Sequence, residues 1–312
     1  MFENIPSGFF CPGLSRIPPG GLRRFPLSDK VKKRKTGTTA EKQCVSLQMY
    51  TGDRKMDKLL NEIESYWSTR TEGYSEVNQK ELKGMQKTEW LRVLEAQFPA
   101  GKKEELKILD IGTGPGFFPI ILADAGYRVD AVDYTEGMLA KAMENAGPLC
   151  DRIRFQRMDA QNLTFPDESF DVVISRNLTW NLEEPVRAYG EWYRVLRPGG
   201  KLLNFDANWY GYLFDQEKRE AYENDRKRVE AHDLDDHYLC TDIDRMEQIA
   251  LQVPLSAAER PAWDQEVLDK IGFSGIRADR EIWRRVWSAE EKLNYQSTPM
   301  FMITAVKSGR YM

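Results

Sequence analysis

Leu106-Lys107-Ile108-Leu109-Asp110-Ile111-Gly112-Thr113-Gly114-Pro115-Gly116-Phe117-Phe118 is the stretch on which the reading of the chain turns. A short apolar run ends in an acid. Three glycines follow at every second position, and a new apolar segment begins. That order spells a buried strand, a tight turn and a helix start. Glycine carries no Cβ, so the turn lets a ligand approach bare backbone, and the free N–H groups of the helix start face it.

Outward from this turn, strand and helix alternate. The first strand, Lys107 to Ile111, is followed by a helix from Phe117 to Ala125. The second, Arg128 to Val132, ends at Asp133 and leads into a helix over Glu136 to Asn145. Arg154 to Met158 and Phe170 to Ser175 form the third and fourth strands. A helix over Glu184 to Leu196, with Tyr189, Trp192 and Leu196 on its core face, leads to the fifth, Lys201 to Phe205. Strands separated by helices of this length predict a parallel sheet with helices on both faces and right-handed crossovers.

After Asp206 the alternation stops. Asn208 to Phe214 is aromatic-rich, Asp215 to Glu230 reads as an exposed charged helix, and a polar stretch holds His232 and His237. This insertion after strand five runs to about Trp263. A last helix, Asp264 to Ile271, stops at Gly272, and strands at Ile276 to Ile282 and Phe301 to Val306 complete seven.

Residues 1–50 differ in kind. Pro6, Pro12, Pro18, Pro19 and Pro26 join Gly20-Gly21 and the basic run Lys30 to Lys35, with no periodicity; the expectation is a disordered extension. From Met56 the pattern is helical, with Leu59, Leu60, Ile63 and Trp67 at three- and four-residue spacing. A break is expected over Ser68 to Tyr74. Ser75 then caps a second helix to Phe98, whose stripe is Leu82, Met85, Trp90, Leu91 and Leu94. Residues 56–100 would form an N-terminal helical cap. The break is either a plain helix–helix turn with Trp67 in the core or a segment that closes over the site.

The chain has 312 residues, 41% hydrophobic and 30% charged, with a net charge of −4. Nothing in that balance draws it to nucleic acid or an anionic membrane, and no uncharged apolar run is long enough to span one. Cys11, Cys44, Cys150 and Cys240 are scattered, without metal or redox spacing. Phe9-Phe10 is too short for the core of a signal peptide. A cytoplasmic protein is expected.

Asp133 lies 21 residues after Gly112, at the end of the second strand. A carboxylate there can accept both ribose hydroxyls of a nucleoside, as in any Rossmann-like site. The dinucleotide fingerprint wants glycine where this chain has Phe117, which argues against a pyrophosphate.

With Asp133, Asp159-Ala160 and Arg197-Pro198-Gly199-Gly200, the glycine stretch resembles the class I S-adenosylmethionine (SAM)-dependent methyltransferases, best over Lys103 to Asp206. The resemblance implies an α/β fold: a Rossmann-like, doubly wound, mostly parallel seven-stranded sheet. It implies SAM as cofactor. Gly112, Thr113, Gly114 and Gly116 would meet the methionine portion, with Asp110 ordering the loop and reaching the amino group. Asp133 would take the ribose, Tyr134 and Met138 would flank the adenine, and Asp159 and Ala160 would accept from and donate to it. Arg176 and Asn177, after strand four, would contact the methionine end or the acceptor. The Asn-Pro-Pro-Tyr motif of enzymes acting on nucleic-acid bases or glutamine is absent from Ser175 to Asn181, which lowers the odds of a nucleic-acid substrate. Arg197 to Gly200 reads as a turn.

Methyl transfer from a sulfonium is an in-line displacement with an activated leaving group, so no catalytic triad is required. If a base is used, His232, His237, Asp206 and Asp235 are candidates. Asp235-Asp236-His237 with Cys240 is weak as a metal site, and none is expected. A small-molecule acceptor would sit among Tyr66, Tyr74, Trp180, Trp209, Tyr210 and Tyr212. The competing readings are a nucleotide-cofactor oxidoreductase and a non-catalytic methyltransferase-like interaction protein.

Overall fold

The computed structural model describes residues 45–238 and 241–309. The proline-rich and basic part of the expected extension, with Cys11, Cys44 and Cys240, falls outside them. The chain divides into Met1–Arg54 and Lys55–Met312; the sheet and the helices around it belong to the second unit.

Helix α1 spans Val45–Lys83 and α2 Gln86–Glu95. The expected break over Ser68 to Tyr74 is absent: α1 runs through it, and Ser75 caps nothing. The hydroxyls of Thr69 and Thr71 bond back to the carbonyls of Tyr66 and Ser68 at 2.6 and 3.1 Å, so these polar groups are satisfied inside the helix. Buried Ile63 and Tyr66 fix its inner face. The chain breaks at Gly84-Met85 instead, and Met85, 81% exposed, lies outside the stripe that Trp90 and Leu94 bury.

The sheet and its helices follow as β1 (Lys107–Ile111), α3 (Phe117–Asp124), β2 (Arg128–Asp133), α4 (Glu136–Ala146), β3 (Ile153–Arg157), β4 (Phe170–Arg176), α5 (Pro185–Val195) and β5 (Leu196–Asp206). Then come α6 (Gln216–Ala231), α7 (Ile243–Ala250), α8 (Ala262–Ile271), β6 (Phe273–Asp279), α9 (Trp283–Val286), α10 (Ala289–Asn294) and β7 (Phe301–Lys307). The seven strands lie in the order β3-β2-β1-β4-β5-β7-β6. β7 alone runs antiparallel to its neighbours. In β1 every residue after Lys107 is buried, as an interior strand covered on both faces requires.

Three expectations about the second half change. The insertion holds a helix, α7, and α8 is not the last helix, because α9 and α10 precede β7. Arg197 to Gly200 is not a free turn but a bulge inside β5: the β4–β5 register passes from Phe170↔Leu196 to Val172↔Lys201. Glycine is needed there, since a Cβ on Gly200 would lie 2.8 Å from the Arg197 carbonyl. Arg197 also clamps Asp171 on β4 at 2.7 and 2.9 Å.

One core packs Trp90, Phe117, Phe118 and Phe205 on one face of the sheet. A second packs Leu109, Ile111, Tyr189, Trp192 and Leu196 on the other. A third gathers Ile63, Tyr66, Trp180, Tyr210, Tyr212 and Tyr238 above the strand ends. β1 and β4 are adjacent while β2 and β3 extend the other way. That reversal opens a crevice at the carboxyl ends of the strands, where ligands of such sheets bind.

Candidate active site

A cavity open to solvent, with about 840 Å³ of empty space counting its mouth, fills this crevice. Its wall takes Ile111, Gly112 and Gly114 from β1 and the turn, and Asp133, Tyr134, Thr135 and Met138 from β2 and α4. Met158, Asp159, Ala160 and Gln161 come from beyond β3, and Arg176, Asn177, Leu178, Asn181, Leu182 and Glu183 from the end of β4 and beyond. Leu60, Ile63, Glu64, Trp67 and Tyr74 of α1 form the remaining side.

The glycine turn is bolted to β2. Gly112 and Thr113 donate their N–H groups to the Val132 carbonyl at 2.8 and 3.0 Å. Gly114 and Thr135 donate theirs to the two oxygens of Asp133, each at 2.8 Å. The Thr135 hydroxyl and the Tyr134 N–H also act on this carboxylate, which faces the cavity. Burial pushes the Asp133 carboxyl upward, and the hydrogen bonds it accepts, from the Thr135 and Gly114 N–H groups first, oppose it. Gly112 sits at φ 71°, and a Cβ there would lie 2.8 Å from the Leu178 side chain. The close approach read from the sequence is therefore already in use by the strand-four loop.

Asp110 lies beneath the turn, 2% exposed. Burial raises its carboxyl to about 7, against the opposing pull of the Thr113 hydroxyl and Arg176. Arg176 is the pivot of the floor. Its guanidinium donates to both oxygens of Glu81 on α1 at 2.8 and 2.9 Å and lies 4.6 Å from the Phe117 ring centre. This bidentate pair ties α1 to the end of β4. Asn145 adds a second tie, donating to Pro115 of the turn at 3.0 Å and to Ser75 of α1 at 3.1 Å.

The loop after β4 is set by buried charges. Asp206 accepts from the Trp180 N–H at 2.9 Å and from the Thr179 hydroxyl. Arg260 donates to Asp206 at 2.7 Å and to Asp264 at 2.8 Å, and all three side chains are fully buried. Asn177 adopts φ 57°, a left-handed conformation that asparagine tolerates better than most residues. The amide oxygens of Asn177 and Asn181 are buried without a hydrogen-bond partner. Beyond β3, Asp159 accepts from the backbone and side chain of Gln161 at 2.9 and 3.2 Å.

Of the residues expected from the sequence, Gly112, Gly114, Asp133, Tyr134, Met138, Asp159, Ala160, Arg176, Asn177 and Tyr74 line the cavity. Asp110, Thr113 and Gly116 support it without lining it. Tyr66, Trp180, Trp209 and Tyr210 stand outside the wall, with Tyr212. Trp180 donates its indole N–H to the Asn177 carbonyl at 3.0 Å and packs on Tyr210 with ring centres 5.0 Å apart. Asp206 is consumed by Arg260. His237 is held between Tyr295 and Glu290 at 3.0 Å each, and His232 and Asp235 are exposed. None of these four lines the cavity. Glu64, Gln161, Asn181 and Glu81 were not anticipated. The polar run from Ser175 to Asn181 was the available signal for Asn181; nothing local marks Glu81. Among the described residues there is no cluster of three metal-ligating side chains and no helix long and apolar enough to cross a membrane.

Comparison with known proteins agrees with this geometry. Residues 109–204 match the family model of a methyltransferase domain. An uncharacterized protein of Haemophilus influenzae is 34% identical over 151 residues, which are 47% of this chain and 57% of that one. A demethylmenaquinone methyltransferase of Clavibacter sepedonicus is 40% identical over 98 residues, 31% of this chain and 39% of that one. The chain thus spans roughly half or less of the length of these curated relatives. The solved structure of Haemonchus contortus phosphoethanolamine N-methyltransferase 2 with S-adenosyl-L-methionine shares the fold. Its TM-score is 0.50 at 20% identity, over 70% of this chain and 52% of that one.

Proposed function

We propose that this chain, whose residues 109–204 match a methyltransferase domain, is a class I SAM-dependent methyltransferase that moves a methyl group from SAM to a small-molecule acceptor by in-line displacement. The observation that carries the reading is the shared cavity in which the glycine turn, Asp133, Asp159 and the end of β4 meet.

The residues present fit that cofactor. The turn offers backbone to the methionine end at the start of α3, where the helix dipole favours a carboxylate. The Asn177 amide oxygen, buried and without a partner, suits an ammonium donor. Asp133 lines the cavity where ribose hydroxyls would lie, Tyr134 and Met138 stand where an adenine would lie, and Asp159 and Ala160 edge it. Phe117, 2% exposed and packed on Trp90, stands where the dinucleotide fingerprint has glycine. Bound SAM supplies the activated methyl group. The protein supplies proximity, alignment and exclusion of water, to which Trp67 and Tyr74 of α1 contribute. In this reading residues 56–100 are the cap over the site and 207–263 a lid-like insertion beside it.

The test is incubation of the purified chain with methyl-labelled SAM and a metabolite extract. Label appearing in small molecules, with S-adenosylhomocysteine formed in step, is the expected result. A melting temperature raised by NAD and unmoved by SAM would return the chain to the oxidoreductases.

A further inference from the structure

Resting on the methyltransferase reading, we infer that the acceptor is a small neutral amine bearing neither phosphate nor carboxylate. The charges of the cavity wall carry the exclusion. Among the described residues Arg176 is the one cation in that wall, and both arms of its guanidinium are committed to Glu81. An anionic acceptor could recruit it only by stripping a buried carboxylate of its partner, which is costly. The same wall carries Glu64, Asp133, Asp159 and Glu183. Asp133 and Asp159 face the cofactor in the reading above, and Glu64 is tied to Arg157 at 2.7 Å. A phosphate or carboxylate entering here meets like charge and no available counter-ion in the wall, which is how a site rejects a ligand class.

The attractive elements point the same way. Asn181 is 5% exposed, lines the cavity, and has an amide oxygen without a partner. A carbonyl oxygen accepts and cannot donate, so it matches an N–H. Trp67 and Tyr74, with ring centres 5.7 Å apart, give an aromatic wall suited to the positive charge that grows on an attacking nitrogen. An alcohol or phenol would have to lose its proton; the wall contains no histidine, and its carboxylates Asp133, Asp159 and Glu64 already accept from Gly114 and Thr135, from Gln161 and from Arg157. Burial pushes the Tyr74 hydroxyl upward, away from use as a base. A free-base amine, its extra proton released to solvent before it binds, needs none. Its lone pair forms a bond to the sulfonium methyl carbon while the carbon–sulfur pair returns to sulfur. The nitrogen takes the positive charge that sulfur loses and keeps its own hydrogens.

Matched acceptors test this on the full chain: phenethylamine against phenylalanine, tryptamine against tryptophan, ethanolamine against phosphoethanolamine. Each is titrated calorimetrically into protein saturated with S-adenosylhomocysteine, and then assayed with SAM. The expected result is that the acid-free amine is preferred by at least about tenfold in kcat/KM within each pair that binds. Asn181→Ala should raise the KM of the best amine about tenfold and leave the SAM Kd within about twofold. Asn181→Asp, which keeps an accepting oxygen, should restore much of it. Preference for the acid-bearing member, transfer to hydroxyl groups alone, or no amine bound or methylated by a chain that binds SAM, would each overturn the inference. Failure to bind SAM at all would remove the methyltransferase reading beneath it.

Discussion

Replacing Asp110 with asparagine should stabilise the protein at alkaline pH while weakening its hold on the cofactor. The carboxyl is 2% exposed, and burial lifts it from 3.8 to about 7. That is roughly 3 pKa units, or about 4 kcal/mol at about 1.36 kcal/mol per unit, taken as an upper bound. The sign follows from proton counting. Below about pH 4 both folded and unfolded chains are protonated here, and the variant gains nothing. Between about pH 4 and 7 the folded chain holds a proton that the unfolded chain releases, so this group's contribution to stability falls as pH rises. Above about pH 7 the ionised carboxylate is buried at full cost. Asparagine never ionises. The stability difference should therefore grow from near zero at about pH 4 to as much as about 4 kcal/mol at about pH 8. Urea unfolding of both proteins across that range, without ligand, measures it. SAM affinity of the variant should fall about tenfold, because Asp110 orders the turn from beneath. A stability difference that is flat with pH, or a variant less stable than wild type at about pH 8, would show that burial does not govern this carboxyl.

Three other substitutions have clear signs. Arg176→Met should cost about 3–5 kcal/mol, because Glu81 is left buried and unpaired; the double variant with Glu81→Met should be closer to wild type than Arg176→Met alone, as a thermodynamic cycle by urea unfolding would show. Gly112→Ala meets Leu178 at 2.8 Å from a left-handed φ of 71°; it should raise the SAM Kd at least about tenfold by calorimetry, with strain of about 1–3 kcal/mol. Arg260→Ala exposes Asp206 and Asp264 to each other's charge without a counter-ion; a loss of about 3–5 kcal/mol should appear as a melting temperature lower by on the order of 10 °C.

What could be read in advance was local. The β1 run, the glycine turn, Asp133 one strand later and the strand–helix rhythm to β5 all depend on neighbours in sequence, and a seven-stranded, mostly parallel sheet follows from them. What could not be read depends on distant partners. Ser68 to Tyr74 has the composition of a break, yet it is helical because its flanks are packed through Ile63 and Tyr66, with the threonine hydroxyls satisfied by carbonyls of the same helix. Glu81 and Arg176 are 95 residues apart, so no local pattern announces their pair. Trp180 and Tyr210 have the composition of a pocket wall and the position of a core, a distinction that only packing makes. Asn181, like Asn177, is marked only by an amide oxygen left without a partner once buried.

Calorimetric titration of the chain with SAM, beside its Asp133→Ala variant, decides whether the glycine turn and the acid of β2 form a cofactor site. One site per chain is expected, with a Kd on the order of micromolar. The variant, which lacks both the acceptor for the two backbone donors and the ribose acceptor, should bind about tenfold or more weakly. No heat of SAM binding, or an affinity that Asp133→Ala leaves unchanged, would contradict that assignment.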